Sequence, residues 1–218
     1  MKNLAISTTF LSNGQSLQKA LDLCRENEMK SIELGSNHCY EQNYDYLSDY
    51  DFQILVHNYF PIPKESFVVN IASFNEDIRK KSIEHIKNAI NFCCDFDGLL
   101  YTFHPGFLTD PKGSSLSTKN HDFQWEEEQL KNINYSKAID IFYRSLDEIL
   151  KYSQLHNIPV AIETEGSLSK QDHLIMQQPE EYQKLMVMNH YTPQLWVMKG
   201  NGLKCKLEAR EWMKLQKK

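Results

Sequence analysis

Short apolar runs alternate along this chain with longer segments in which apolar residues recur every three or four positions. The short runs lie at 4–8, 31–35, 52–60, 99–106 and 158–166. The segments with a helical period lie at 16–27, 75–96 and 136–156. Runs of the first kind are typical of buried strands, and segments of the second kind are typical of helices with one apolar face. Since strands that alternate with helices usually form βαβ crossovers, the pattern predicts an α/β fold with a parallel sheet.

The fourth run, LLYTFHPG, ends abruptly in a histidine, a proline and a glycine. Its residues show little of the alternation between apolar and polar side chains that a strand with one solvent-exposed face would have, so we expect it to be buried on both faces. Pro105 cannot donate to a sheet ladder and Gly106 tolerates unusual backbone angles, so the chain should leave the sheet here. His104 is therefore expected at the carboxyl end of a buried strand. For a single residue of this kind, a hydrogen-bonded structural histidine is the alternative to a functional one.

Three of the predicted strands end in side chains that can bind a metal ion. His57 lies near the end of the third run, His104 near the end of the fourth and Glu163 near the end of the fifth. Because the carboxyl ends of parallel strands meet at one edge of a sheet, we expect these side chains to lie close together. Two imidazoles and one carboxylate suit zinc, and manganese or iron with less selectivity. A hydrogen-bonded polar cluster without a metal is the alternative.

Composition limits the compartment and the partners. The 218 residues contain no linker rich in glycine, serine or proline, which favours one main domain. Five cysteines, an odd number without C-x-x-C pairs, and an N-terminus without a long apolar run predict a cytoplasmic protein without a membrane anchor. The formal net charge of -5 gives no general attraction to nucleic acid, although a local basic patch is not excluded.

Four segments, VHNYF, VVNIAS, YTFHPG and VAIETEG, resemble the xylose isomerase-like TIM-barrel superfamily, which contains endonuclease IV and many sugar or sugar-phosphate isomerases and epimerases. The resemblance covers residues 1–190 and implies a (β/α) barrel with a divalent metal at its C-terminal mouth. It places His57, His104 and Glu163 where that superfamily has metal ligands, and the matching glutamate of endonuclease IV bridges two metals. It also implies that Glu33, in the second run, contacts a substrate hydroxyl, with a structural salt bridge as the alternative.

The end of the chain departs from the superfamily pattern. Relatives supply further ligands from strands six to eight, whereas this sequence has no Asp after Asp172 and no His after His190. A sixth strand is predicted at QLWVM. We therefore expect a partial TIM-barrel domain over 1–190, with about five to six of the eight strands of such a barrel, and an atypical basic tail over 191–218. Open sheet edges would then favour self-association.

Three functions follow from these features. The first, which we expect, is a metal-dependent isomerase or epimerase acting on a small sugar or sugar phosphate, in which Glu163 either binds the metal or acts as the base. The second is an endonuclease IV-like apurinic/apyrimidinic endonuclease. The 17 basic and 27 acidic residues of 1–190 disfavour DNA binding without excluding it. The third is a barrel remnant that binds a ligand or partner without catalysis.

A polar stretch over 108–133 separates the fourth strand from the helix that follows it. Loops of this length in compact domains often close over a site or bind a ligand. His121 and Trp125 are the candidates in this stretch for contact with a substrate. A solvated loop without a role is the alternative.

Overall fold

Six parallel strands form one sheet in the order in which they follow each other along the chain. The computed structural model describes residues 5–11, 14–111, 134–164, 173–177, 179–188 and 195–199. The strands are β1 Ile6–Ser7, β2 Ser31–Leu34, β3 Gln53–His57, β4 Leu100–Phe103, β5 Val160–Thr164 and β6 Leu195–Lys199. Each pairs in parallel with the next. The predicted α/β architecture is therefore confirmed. The sixth strand, predicted at QLWVM, is present as β6. The division of the chain into a domain and a tail at residue 190 stays a prediction.

Helices connect these strands in the described part of the chain. They are α1 Leu17–Glu26, α2 Glu76–Asp95, α3 Tyr135–His156, α4 Pro179–Met188 and two short 3-10 helices, Thr8–Phe10 and Asp45–Asp49. Ser16, Asn75 and Asn134 cap the first three α-helices, since each side chain accepts a hydrogen bond from the backbone of the first turn. The three predicted helices thus begin where a polar cap precedes the apolar period. Among the described residues, no helix has the length and apolar character needed to cross a membrane.

β3 is shorter than the apolar run 52–60. It ends at His57 because Asn58 has a φ of 39°, a left-handed conformation that asparagine tolerates better than most residues. The backbone N–H of Phe60 donates to the carbonyl of His57 at 3.0 Å, which closes a turn. The last residue of β3 is therefore the predicted metal ligand itself.

The two faces of the sheet have different surroundings. One face, called here the outer face, packs against the apolar sides of α1, α2 and α3 in the main core. The strand residues on this face are Ile32, Leu34, Ile54, Val56, Tyr101, Phe103, Val160 and Ile162. The inner face carries the residues that alternate with these, namely Leu55, His57, Leu100, Thr102, Ala161 and Glu163. Leu55, Leu100 and Ala161 form a small separate apolar cluster there. Since successive side chains of a strand point to opposite faces, the candidate ligands on β3 and β5 lie on the side away from these helices.

The loop after β4 is fixed to the segment that precedes α2. The buried Asn70 side chain accepts a hydrogen bond from the backbone N–H of Phe107 at 2.9 Å and donates to the carbonyl of Phe107 at 3.1 Å and to Asp110 Oδ1 at 2.8 Å. Gly106 has a φ of 111°, and a Cβ added there would lie 2.6 Å from Asn70 Oδ1. The glycine of LLYTFHPG is therefore required both by backbone conformation and by this close approach.

We expect Gly106→Ala to lower the free energy of unfolding by about 1–3 kcal/mol, because the new Cβ meets an unfavourable φ and the Asn70 side chain together. Gly14→Ala is the matched control: Gly14 also has a positive φ, 79°, but nothing lies within 4 Å of the position of its Cβ. The control should therefore lose less stability, about 1 kcal/mol from backbone strain alone. Urea denaturation followed by circular dichroism measures both losses. Equal losses would show that the approach to Asn70 has no energetic effect.

Candidate metal centre

His57, His104 and Glu163 lie together at the carboxyl edge of the sheet. Each offers one ligand atom, and the three atoms all lie within 4.8 Å of one another. The side chains are partly buried, with exposed fractions of 20% for His57 and 25% for Glu163. The structure thus brings together the three residues that the strand ends indicate, while their role as metal ligands stays a prediction.

The register of β3 on β4 sets the position of His57. His57 pairs with Thr102, so both side chains rise from the inner face. His57 Nδ1 and Thr102 Oγ1 lie 2.7 Å apart, and either group can donate, depending on the tautomer of the ring. Because Thr102 is almost completely buried, its hydroxyl is a fixed partner. It holds the imidazole in one orientation, as the hydrogen-bond partners of metal-binding histidines commonly do.

His104 directly follows the last residue of β4, Phe103. Its ring meets that of His57 edge to face, with the ring centroids 5.6 Å apart and an interplanar angle of 81°. Just beyond it, the chain is held by the hydrogen bonds between Phe107 and Asn70. His104 is therefore fixed by the sheet on one side and by the docked loop on the other.

Glu163 reaches the same point from β5. It lies two residues after Ala161, which pairs with Thr102, so its side chain rises from the inner face as well. Glu163 Oε2 is 3.5 Å from His57 Nδ1. The contact therefore suits an ion pair when the imidazole is protonated. With Nδ1 bonded to Thr102, Nε2 is the ring nitrogen left for a metal.

The chemistry of this group fits a divalent metal. Zinc is bound by imidazole nitrogen and carboxylate oxygen, and catalytic zinc sites commonly have three protein ligands with one position left for water or substrate. Manganese and iron accept the same ligands. His57, His104 and Glu163 supply three such ligands, and their partial exposure leaves access for a fourth.

Among the other sequence-predicted site residues, Glu33 lies in the described part of the chain and outside this group. Glu33, on β2, pairs with Leu55 and is partly buried. It lies on the inner face, two residues deeper in the sheet than His57, and the possible metal ligands do not include it. Its contact with a substrate stays a prediction. His121 and Trp125 lie outside the described residues.

The roles of two residues that support the centre were not predicted from the sequence. Thr102 orients His57, and its place two residues before His104 in the same apolar run could have indicated a shared face. Asn70 holds the loop after His104. Asn70 belongs to VVNIAS, one of the segments that carry the resemblance, but its role could not be predicted from that segment, because its partners are 37 and 40 residues away along the chain.

One curated relative is the uncharacterised protein MJ1614 of Methanocaldococcus jannaschii. It is 24% identical over 165 residues, which make up 73% of this chain and 55% of that protein. The matched region thus spans little more than half the length of this relative.

Two solved structures have the same fold. One is described as a D-tagatose 3-epimerase-like protein, with a TM-score of 0.60 and 19% identity over 90% of this chain and 64% of the other. The second is an L-ribulose 3-epimerase, with a TM-score of 0.60 and 10% identity over 91% of this chain and 60% of the other. At such identities the likeness shows the fold, and here too the chain spans less than two thirds of the other protein.

The family comparison covers most of the chain. Residues 18–198 match the family described as xylose isomerase-like TIM barrel. This range contains His57, His104 and Glu163 and all of β2 to β5. With this match and the sequential parallel sheet, the chain belongs to the xylose isomerase-like TIM-barrel family.

Proposed function

We propose that this chain binds a divalent metal through His57, His104 and Glu163 and acts as an isomerase or epimerase on a sugar or sugar phosphate. The observation that carries the proposal is the convergence of these ligands within 4.8 Å at the carboxyl edge of the sheet. Sites of TIM-barrel enzymes lie at this edge. Two similar solved structures bear the names of sugar epimerases, which favours a sugar as the substrate class. Zinc is the metal that the ligands suit best, with manganese or iron as the alternatives.

The proposed reaction needs both a metal that polarises the sugar and a group that accepts a proton. A bound divalent metal would polarise a sugar carbonyl and the neighbouring hydroxyl, which makes a proton on the adjacent carbon more acidic. His57 and His104 bind as neutral imidazoles, so Glu163 supplies the negative charge among these three ligands. A carboxylate engaged in this way is a poor proton acceptor. Proton transfer therefore needs a second group, and Glu33 on the inner face offers a further carboxylate for contact with a substrate hydroxyl.

A DNA-cleaving function is the second candidate. The pair of histidines with a glutamate lies where the resemblance to endonuclease IV places metal ligands. The excess of acidic over basic residues in 1–190 weighs against it, because binding to DNA depends on basic side chains that contact phosphates. We therefore place this function after the sugar isomerase.

Metal analysis of the purified protein, followed by two activity assays, tests the proposal. We expect stoichiometric zinc, manganese or iron. The metal-loaded protein is then incubated in D₂O with ketohexoses, ketopentoses and their phosphates. Proton NMR follows deuterium incorporation next to the carbonyl, which reports proton abstraction directly.

Incorporation that a chelator abolishes would support the isomerase or epimerase. A chelator-sensitive nick in abasic DNA, without deuterium exchange, would select the endonuclease. Stoichiometric metal with neither activity would favour a barrel remnant that binds without catalysis.

We also propose a cytoplasmic location and self-association. Cys24, Cys39, Cys93 and Cys94 are free thiols in the structure, which is typical of a reducing compartment. In the described sheet, β1 and β6 each have one neighbouring strand. A free strand edge can pair with a second copy of the chain.

His57→Ala and His104→Ala should each remove most of the bound metal, because each removes one of the three ligands that the described residues bring together. His156→Ala is the matched control, since this exposed histidine ends α3 and is not among the candidate ligands. Elemental analysis after gel filtration measures the metal content. Full metal content in both site variants would exclude this centre.

Thr102→Val should weaken metal binding by about 10- to 100-fold, because it removes the hydroxyl that orients His57 and keeps a similar volume. Thr102→Ser keeps the hydroxyl and should bind metal nearly as the natural chain does. Competition with a chromophoric chelator gives both affinities. The role of Thr102 would be disproved by a valine variant whose affinity equals that of the serine variant.

A further inference from the structure

A buried histidine on the helix side of the sheet forms a hydrogen bond with the backbone carbonyl of the residue that follows the candidate ligand His57. His85 lies on α2 and is 7% exposed. Its Nε2 is 3.0 Å from the carbonyl oxygen of Asn58, the residue that follows His57. Burial lowers the pKa of His85 to about 4, so the ring is neutral near pH 7. Because a carbonyl can only accept, Nε2 carries the proton and donates it to this bond.

The same carbonyl accepts a second hydrogen bond. Tyr101, completely buried on β4, donates its hydroxyl to the Asn58 carbonyl at 2.6 Å. On the other side of the residue, the backbone N–H of Asn58 donates to the carbonyl of Thr102 at 2.6 Å. The sheet therefore holds the N–H of Asn58, and two donors, Tyr101 and His85, hold its carbonyl.

These bonds fix the point at which the chain turns out of β3. Asn58 has a φ of 39°, and a residue in this conformation persists only when its surroundings hold it there. Its carbonyl has left the sheet ladder, and without His85 and Tyr101 it would lose both of these partners in a buried position. The orientation of the preceding residue, His57, depends on the same turn.

The surroundings of His85 restrict the movement of its ring. The ring centroid lies 5.8 Å from that of Phe67, edge to face, and 6.4 Å from that of Tyr59. A donor confined in this way can act as a rigid support for the Asn58 carbonyl. His85 thus connects α2, through the backbone of Asn58, to the side of the sheet that carries the candidate ligands.

We propose that His85 is a positioning residue for the metal centre: together with Tyr101 it holds the Asn58 carbonyl, and so keeps His57 oriented toward His104 and Glu163. The inference rests on the proposed metal-binding function. It assigns to a residue on the opposite side of the sheet an effect on metal affinity and coordination geometry.

Binding of Co²⁺, a spectroscopic probe for such sites, tests the inference in the full chain. His85→Phe keeps a ring and removes the donor. We expect Co²⁺ affinity to fall about tenfold, the lower end of the range for lost supporting hydrogen bonds around a metal, and the visible absorption bands of bound Co²⁺ to shift. His85→Gln retains an N–H donor and should restore much of the affinity. Ile90→Val, a buried change on the same helix, should lower stability without changing Co²⁺ affinity or spectrum.

A double variant tests whether the effect passes through Asn58. Tyr101→Phe removes the other donor to the carbonyl, and by itself it should weaken Co²⁺ binding. Combined with His85→Phe it should weaken binding by more than the product of the two single fold-changes, because the carbonyl then loses both partners. If His85→Phe does not fold, Tyr101→Phe and His85→Gln still report on the same carbonyl.

The possible failures are distinguishable. Co²⁺ binding by the natural chain, with unchanged affinity and spectrum in His85→Phe or Tyr101→Phe, would overturn the positioning role and leave the proposed function standing. A natural chain that binds neither Co²⁺ nor Zn²⁺ would overturn both. Equal loss of affinity in Ile90→Val and His85→Phe would show a general effect of stability and would also overturn the positioning role.

Discussion

The register of β3, β4 and β5 is the constraint on which the candidate centre depends. His57 pairs with Thr102, and Thr102 pairs with Ala161, two residues before Glu163. Because side chains alternate between faces, a shift of one strand by a single residue would turn its part of the site toward the helices. The register is held from the outer face, where Val56, Tyr101, Phe103 and Ile162 are all completely buried. Apolar packing on one side of the sheet thus sets the polar geometry on the other.

Strand ends create a second requirement, since the backbone groups that leave the ladder still need partners. After β3, the carbonyl of Asn58 is satisfied by His85 and Tyr101. After β4, the backbone of Phe107 is satisfied by the Asn70 side chain. In both places, buried side chains from elsewhere in the fold support the segment that carries a candidate ligand. A site built from strand ends therefore depends on polar partners that are not themselves ligands.

The position of the centre within the sheet is also informative. His57 lies on β3 and Glu163 on β5, and His104 directly follows β4. Each of these strands has a neighbouring strand on both sides. The centre therefore does not rely on the outermost strands of the described sheet, β1 and β6. A fold of this family can carry many chemistries, so the activity depends on the groups at this edge. Two imidazoles and a carboxylate at a partly exposed edge are suited to holding a metal and admitting a small polar substrate.

The sequence by itself determined the order of strands and helices and the three strand ends that meet. These features follow from the local period of apolar residues and from short-range chemistry, as at Ser16 before α1 and at Gly106 after β4. Only the tertiary structure decided where β3 ends, how His57 is oriented and what holds the loop after His104. Those outcomes rest on hydrogen bonds between residues 27 to 45 positions apart along the chain. No local pattern specifies such pairs, because they form only when the packed sheet brings distant segments together.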